Sequence, residues 1–316
     1  MFLLDRLLPF IFSYIRPFIK WFLHAFTRLS ELQRICYGAR AGASRTRQVE
    51  RSLTLSKSYE IKRMVHDLDE VAPYADNRNL LEFSFRAARV VMQAKRIKNN
   101  AHPDFSRLFI NCVSTIWGYR RLMYQIEQLR AEKYDSDNPE HEYKLLELWQ
   151  LLMPEAPLTG RVSKQWQDIG FQGDDPKTDF RGMGMLGLEN LLYFASAYND
   201  AAKHVLLHSM HPTRGYTYAI VGINLTSMAY NLVKTGQAKT HFYNVVALHK
   251  QDFNTIEDFH KLYCYLFFEF DRFWMESDPR NIMDFREIYQ AFEITKLEAL
   301  HNENTIFKTN LVVESV

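Results

Sequence analysis

Bulky apolar residues recur at spacings of three and four along most of this chain, with polar residues between them, which is the signature of helices with one buried face. Over residues 80–99, Leu81, Phe83, Phe85, Ala88, Val91 and Met92 lie opposite Arg86, Arg89 and Lys95. Pro103-Asp104 can start the next helix, expected over 104–133 with Leu108, Cys112, Ile116, Tyr119, Leu122, Met123 and Ile126 as its stripe. A polar break at 134–139 ends in Asn138, a good cap, and Pro139, a good first residue. They open a helix over 140–153 that faces inward through Leu145, Leu148, Trp149 and Leu152. Further helices are expected over 183–198 and 199–208. Residues 216–234 are apolar on nearly every side, with a narrow polar edge of Asn224, Ser227, Asn231 and Lys234, so this is the expected central helix. Asn254 is expected to cap a helix to Glu276, and Asp278-Pro279 to restart one to Leu300. Residues 37–63 read as a short linker passing into a basic helix, and 240–253 show no clear period. Strand-type alternation is confined to short stretches near the C-terminus. The pattern predicts an all-α protein built as a helical bundle.

The N-terminus has a different pattern. At about 100° per residue, Asp5, Arg6, Ser13, Arg16, Lys20, His24, Thr27 and Arg28 share one side of a helix, and Phe10, Ile11, Ile15, Ile19, Trp21, Phe22 and Phe26 fill the rest. The uncharged run 7–15 is far shorter than the roughly 20 residues a spanning helix needs, and no small-residue cleavage site follows it. A wide bulky face with a cationic stripe fits a helix lying in the membrane interface through Phe10, Ile15, Trp21 and Phe22. The other reading is a first helix docked on the protein's own core. Pro17 is expected to kink it.

Glycines and a proline concentrate in 166–191, where Gly170, Gly173, Pro176, Gly182, Gly184 and Gly187 interrupt an otherwise helical chain. Asp174, Asp175 and Asp179 surround a single arginine, Arg181, set between Phe180 and Gly182. Such loops on a rigid scaffold tend to carry function. Arg181 either clamps the loop through a carboxylate or is presented to another molecule. Gly182-Met-Gly184-Met-Leu-Gly187 formally matches a dinucleotide fingerprint, but the residues before it are no buried strand, so no nucleotide cofactor is expected. His204 and His208 share a helix face without an acid nearby in sequence to complete a hydrolytic metal motif, and no metal is expected.

Trp166, Gly170-Phe171-Gln172, Pro176, Thr178-Asp179-Phe180-Arg181-Gly182, Gly184 and Leu188 resemble the signature of the ELMO-domain-containing (ELMOD) proteins. The likeness runs from about residue 31 to about 274, with Tyr134-Asp-Ser-Asp-Asn138, His211-Pro212, Gly215-Tyr216 and residues 219–226 as further landmarks, and is closest to the short, single-domain members. The resemblance implies a GTPase-activating protein for Arf and Arf-like small GTPases, acting on the GTP-bound form, in which the arginine is essential. That role suits a guanidinium, which stays charged and offers a planar fork of donors. Supplied in trans to the phosphates of GTP, it can speed hydrolysis by about 10³–10⁵. On this reading Arg181 is the catalytic finger. Gln172, Asp175, Thr178, Asp179 and Gly182 contact the GTPase or position the loop, Asp175 or Asp179 holding the guanidinium before docking. Trp166, Gly170, Phe171, Pro176 and Gly184 are structural. The competing class is a non-catalytic adaptor that binds a GTPase or exchange factor without accelerating hydrolysis.

Composition adds three constraints. With 316 residues, 47% of them hydrophobic, the chain can bury a sizeable core. Residues 1–63 hold twelve Lys/Arg against four Asp/Glu, so a basic front precedes a mildly acidic body and an anionic surface is the expected partner of that front. Arg45, Arg47 and Lys57 are candidates for contacting lipid headgroups, or an ordinary exposed face. No nucleic acid is expected as partner. The three cysteines Cys36, Cys112 and Cys264 lack metal spacing and fit reduced thiols in a cytosolic protein. Expected organisation is a membrane-interface segment (1–30), a helical region (31–133), the ELMO domain (134–302) and a loose tail (303–316), peripheral on an intracellular membrane: endoplasmic reticulum, mitochondrion or lipid droplet.

Overall fold

The computed structural model describes Ile15, Phe18, Ile19 and residues 21–23 and 25–311; among these every regular element is a helix and none is a strand. The all-α expectation holds. The chain forms two compact units, one of residues up to 118 with 246–252, the other of 119–245 with the residues from 253 on.

In the first unit, α1 (Glu31–Gly38) opens on a reciprocal cap: Ser30 Oγ accepts from Gln33 N, and Gln33 Oε1 accepts from Ser30 N. Then come α2 (Ala43–Thr54), α3 (Tyr59–Val71) capped by Ser58, and α4 (Asn77–Ala94) capped by Asp76. The basic helix expected within 37–63 is present as α2, preceded by only a short link, and α3 begins inside the same range. The buried stripe of α2, Ala43, Thr46, Val49, Ser52 and Leu53, is too small and polar to stand out in a bulky-apolar pattern. The stripe of α4 is rotated for the same reason. Ser84, Ala87 and Ala88 are buried with Leu80 and Val91, whereas Phe85 is exposed. The long α5 (Pro103–Ala131) runs from this unit into the second.

The second unit contains α6 (Pro139–Leu152), α7 (Gly184–Ala197), α8 (Asn199–Ser209), α9 (Tyr218–Lys234), α11 (Ile256–Glu276) and α12 (Phe285–His301), while α10 (Lys239–His249), in the stretch that lacked a period, begins in this unit and ends in the first. Helices α7, α9 and α11 pack on one another, α6 and α8 lie against α7, and α12 against α11. As the apolar run predicts, α9 is buried nearly all round. A hydrogen-bonded chain crosses this core: His260 to Asn190 (2.7 Å), Asn190 to Thr226 (3.0 Å), and Thr226 to Gly222 O (3.1 Å). It satisfies polar groups that would cost about 1–3 kcal/mol each if buried alone.

Three boundaries differ from expectation. Thr255, not Asn254, caps α11, its hydroxyl and N–H both meeting Asp258 (3.1 and 2.8 Å), while buried Asn254 donates to Phe242 O instead. Asp278-Pro279 does not begin the last helix: Asp278 takes a left-handed φ of 48°, Arg280 binds Asp284, and α12 starts at Phe285. Nor is the tail loose where it is described. Phe307 is buried, stacked on Tyr265 at 4.7 Å, and Asn244 donates to the carbonyls of Glu303 and Thr305.

Before α1, Ile15, Phe18, Ile19, 21–23 and 25–27 are helical, and Phe18, Trp21, Phe22 and Phe26 are exposed, Phe26 by 83%. Phe10 and Pro17 lie outside the described residues. No helix among those described is long and apolar enough to cross a membrane.

Candidate functional site

The glycine-rich segment leaves the end of α6 and returns to the start of α7 by way of two 3₁₀ turns, Lys164–Ile169 and Pro176–Arg181. An aromatic ladder fixes it to the bundle. Trp149 meets Trp166 edge-on (5.4 Å between centroids), Trp166 meets Phe171 (5.8 Å), Phe171 meets Phe180 (5.7 Å), and Phe180 meets Tyr134 (5.3 Å). Trp166, Phe171 and Phe180 are all buried, and the Trp166 indole donates to Arg161 O at 2.9 Å.

Two glycines hold the ends. Gly170 has φ 84°, and a Cβ there would come within 2.3 Å of Tyr218 N. Gly184, φ 53°, lies against the end of α5, where a Cβ would sit 2.3 Å from Glu132 O; the next amide, Met185 N–H, donates to that same carbonyl at 2.8 Å. Both positions exclude a side chain on two grounds, left-handed backbone and close contact.

Charge sets the middle. Asp175 caps the second turn through Lys177 N (3.1 Å), with Pro176 at its first position. Arg161 reaches Asp175 with Nη1 (3.1 Å) and Glu142 with Nε, and Glu142 also accepts from Tyr134. Burial raises the Asp175 carboxyl, but the Lys177 N–H and the Arg161 guanidinium outweigh it and hold it below the usual range. Asp179 Oδ2 accepts from Gln172 N at 3.0 Å, pinning one side of the loop to the other. Burial pushes the Asp179 carboxyl up.

Arg181 stands apart from this clamp. It is exposed, and its hydrogen bond among the described residues runs from Nε to Thr178 O, its own turn (2.9 Å). Among the described residues no salt bridge joins it to Asp175, which is engaged by Arg161 and Lys177, or to Asp179, which accepts from Gln172 N–H, although the Arg181 charge acts on the Asp179 carboxyl and opposes the upward push of burial. Gly182 beside it is exposed, and a Cβ there would meet nothing within 4 Å. Gln172 and Thr178 are exposed too, so Gln172, Thr178, Arg181 and Gly182 form the open side of the loop, and Trp166, Gly170, Phe171, Pro176 and Gly184 its buried side.

Sequence reading missed the clamp itself. Tyr134, Glu142 and Arg161 are spread over 27 positions, and only the fold brings them under Asp175. It also missed the partner of the histidine pair. Asp271 from α11 meets His208 Nδ1 at 2.7 Å, with His204 beside them, and its other oxygen accepts from Tyr216 at 2.7 Å. Both carboxylate oxygens are thus used within the protein.

Comparison with known proteins agrees with the signature. The ELMO/CED-12 family profile matches residues 124–289. The chain is 43% identical over 301 residues to ELMO domain-containing protein 1 of Mus musculus, covering 90% of this chain and 87% of that one. It is 45% identical over 280 residues to ELMO domain-containing protein 2 of Homo sapiens (88% and 89%), and 33% identical over 278 residues to ELMO domain-containing protein B of Dictyostelium discoideum (87% and 91%). The chain belongs to the ELMO domain-containing protein family.

Proposed function

We propose that this protein activates GTP hydrolysis by a small GTPase of the Arf family, lending Arg181 to the phosphates of the bound nucleotide. The observation that carries this reading is the contrast within the second 3₁₀ turn: Asp175 is paired with Arg161 and Lys177 and Asp179 accepts from Gln172 N, while the Arg181 guanidinium is exposed and its hydrogen bond among the described residues runs to a carbonyl of its own turn. A finger needs a rigid base and a free tip, so that little order is lost when it docks. The aromatic ladder and the Arg161 clamp supply the base. The bare Gly182 leaves room for a partner's backbone. Gln172 and Thr178 lie on the same open side and contact the GTPase there.

The second part of the proposal is peripheral attachment to an intracellular membrane through residues 1–28, supported by the exposed ridge Phe18, Trp21, Phe22 and Phe26. The test of the activity is a hydrolysis panel in which the purified chain meets GTP-loaded Arf-family and unrelated small GTPases. Stimulation confined to Arf-family members is the expected result. Tight binding to the GTP form with hydrolysis left slow favours an adaptor and overturns the catalytic reading.

A further inference from the structure

A cavity of about 630 Å³ lies between the N-terminal helix, α1 and α2. Its polar wall carries three guanidinium groups, Arg34, Arg40 and Arg51, against one carboxylate, Glu31. That carboxylate accepts from Ser52 Oγ at 2.8 Å, and Arg34 is fixed from behind by donating to Leu29 O. Ser44 and Gln48 add a hydroxyl and an amide. Arg45, a sequence candidate for lipid contact, is spent on structure: Nε and Nη2 both donate to Ala39 O (3.0 and 2.8 Å). The N-terminal helix adds apolar lining through Ile19 and Leu23. These two form the less exposed ridge of the helix whose other ridge displays Phe18, Trp21, Phe22 and Phe26.

We infer that this cavity takes the phosphorylated inositol headgroup of a membrane lipid. The inference rests on the membrane attachment proposed above and names its ligand. An interfacial helix sinks its apolar face about 5–10 Å into the boundary and is itself about 10 Å across, so the flank beside that face lies at headgroup depth. A cavity on that flank meets headgroups rather than acyl chains. Guanidinium groups match phosphate oxygens in planar pairs, while neutral Ser44 and Gln48 suit ring hydroxyls.

The experiment is sedimentation of the full chain with three kinds of vesicle: phosphatidylcholine alone, phosphatidylcholine with phosphatidylserine, and phosphatidylcholine with phosphatidylinositol bisphosphate at the same total charge. The expected result is partitioning onto all three, with about tenfold preference for the inositol lipid over charge-matched phosphatidylserine. Arg40→Gln/Arg51→Gln removes that preference and keeps binding to neutral vesicles. Arg86→Gln/Arg89→Gln, equally basic and exposed on α4, keeps it. Melting followed by circular dichroism checks that both variants fold. The inference is overturned if the Arg40/Arg51 variant retains the preference, if the α4 variant loses it equally, or if free inositol phosphate binds as well as the lipid does. A wild-type chain that binds neutral vesicles without any preference sinks the headgroup site and leaves membrane attachment standing. One that pellets with no vesicle sinks both.

Discussion

Two glycines two residues apart do opposite work. Gly184 is wedged against the carbonyls of Arg130 and Glu132 in a left-handed conformation, whereas Gly182 faces open space at φ −82°. Substitution separates them. Gly184→Ala forces backbone apart and is expected to lower stability by about 2–4 kcal/mol, read as a clear drop in melting temperature. Gly182→Val meets nothing in the isolated fold and should melt within a degree or two of wild type, while reducing stimulated GTP hydrolysis at least tenfold by filling the space beside Arg181. A Gly182→Val protein that folds and stimulates normally would remove this residue from the contact surface. The family resemblance already puts Gly182 on the contact side and Gly184 in the structural set; the contact of Gly184 with the end of α5 gives the physical reason for the second.

At the scale of elements, the polar chain joining α7, α9 and α11 makes the core sensitive to acid. His260 is buried, and burial lowers its pKa from 6.5 to about 4; His241, buried in α10, is lowered to about 3. Both are neutral when folded and protonate when unfolded, so their contribution is present above pH 6.5 and is lost as pH falls below it. Stability should decline with a slope approaching ~1.4 kcal/mol per pH unit for each histidine. His208, raised by its hydrogen bond to Asp271, has the opposite sign: its contribution is complete below 6.5, so it offsets the loss only in the upper part of the range. Urea denaturation between pH 7 and 5 checks this, and His260→Gln should flatten the slope by roughly half; an unchanged slope contradicts the assignment. The N-terminal helix gives a second prediction at this scale. Without residues 1–28 the protein should move from the membrane pellet to the supernatant, and unchanged pelleting would reject its role as an anchor.

These elements were unevenly legible. Helices α5, α6, α7, α8 and α9 could be placed within a few residues because bulky stripes and the Asn138-Pro139 start are local signals. Helix α2 was visible as a basic helix but without bounds, because Val49 and Leu53 share its buried face with Ala, Thr and Ser, and α10 was unplaced because it is buried on several sides and has no clean period. The start of α11 turned on two adjacent cap-competent residues. Asp258, three positions beyond Thr255, was the signal that could have decided it. The anchored tail depends on Phe307 finding Tyr265 and His241, which no local pattern records. In the site, Arg181 and its glycines were visible as a cluster. Its freedom from Asp175 was not, since that depends on Arg161 arriving from outside the glycine-rich run to take the carboxylate first.

For the molecule as a whole, a basic, aromatic front end precedes a bundle that presents Arg181 on an exposed loop, and the proposed function makes it a membrane-proximal regulator. The central claim is chemical: charge from Arg181 enters another protein's hydrolysis reaction. Removing that charge should leave the fold untouched, because the side chain is exposed and its hydrogen bond among the described residues stays within its own turn. Single-turnover GTP hydrolysis by a responsive Arf-family GTPase, with wild type, Arg181→Ala and Arg181→Lys at equal concentration and matched melting temperature, measures it directly. Loss of about 10³-fold or more of the stimulated rate in Arg181→Ala, with little rescue by the lysine, which lacks the planar fork, is the predicted result. Undiminished stimulation by a well-folded Arg181→Ala protein would contradict it.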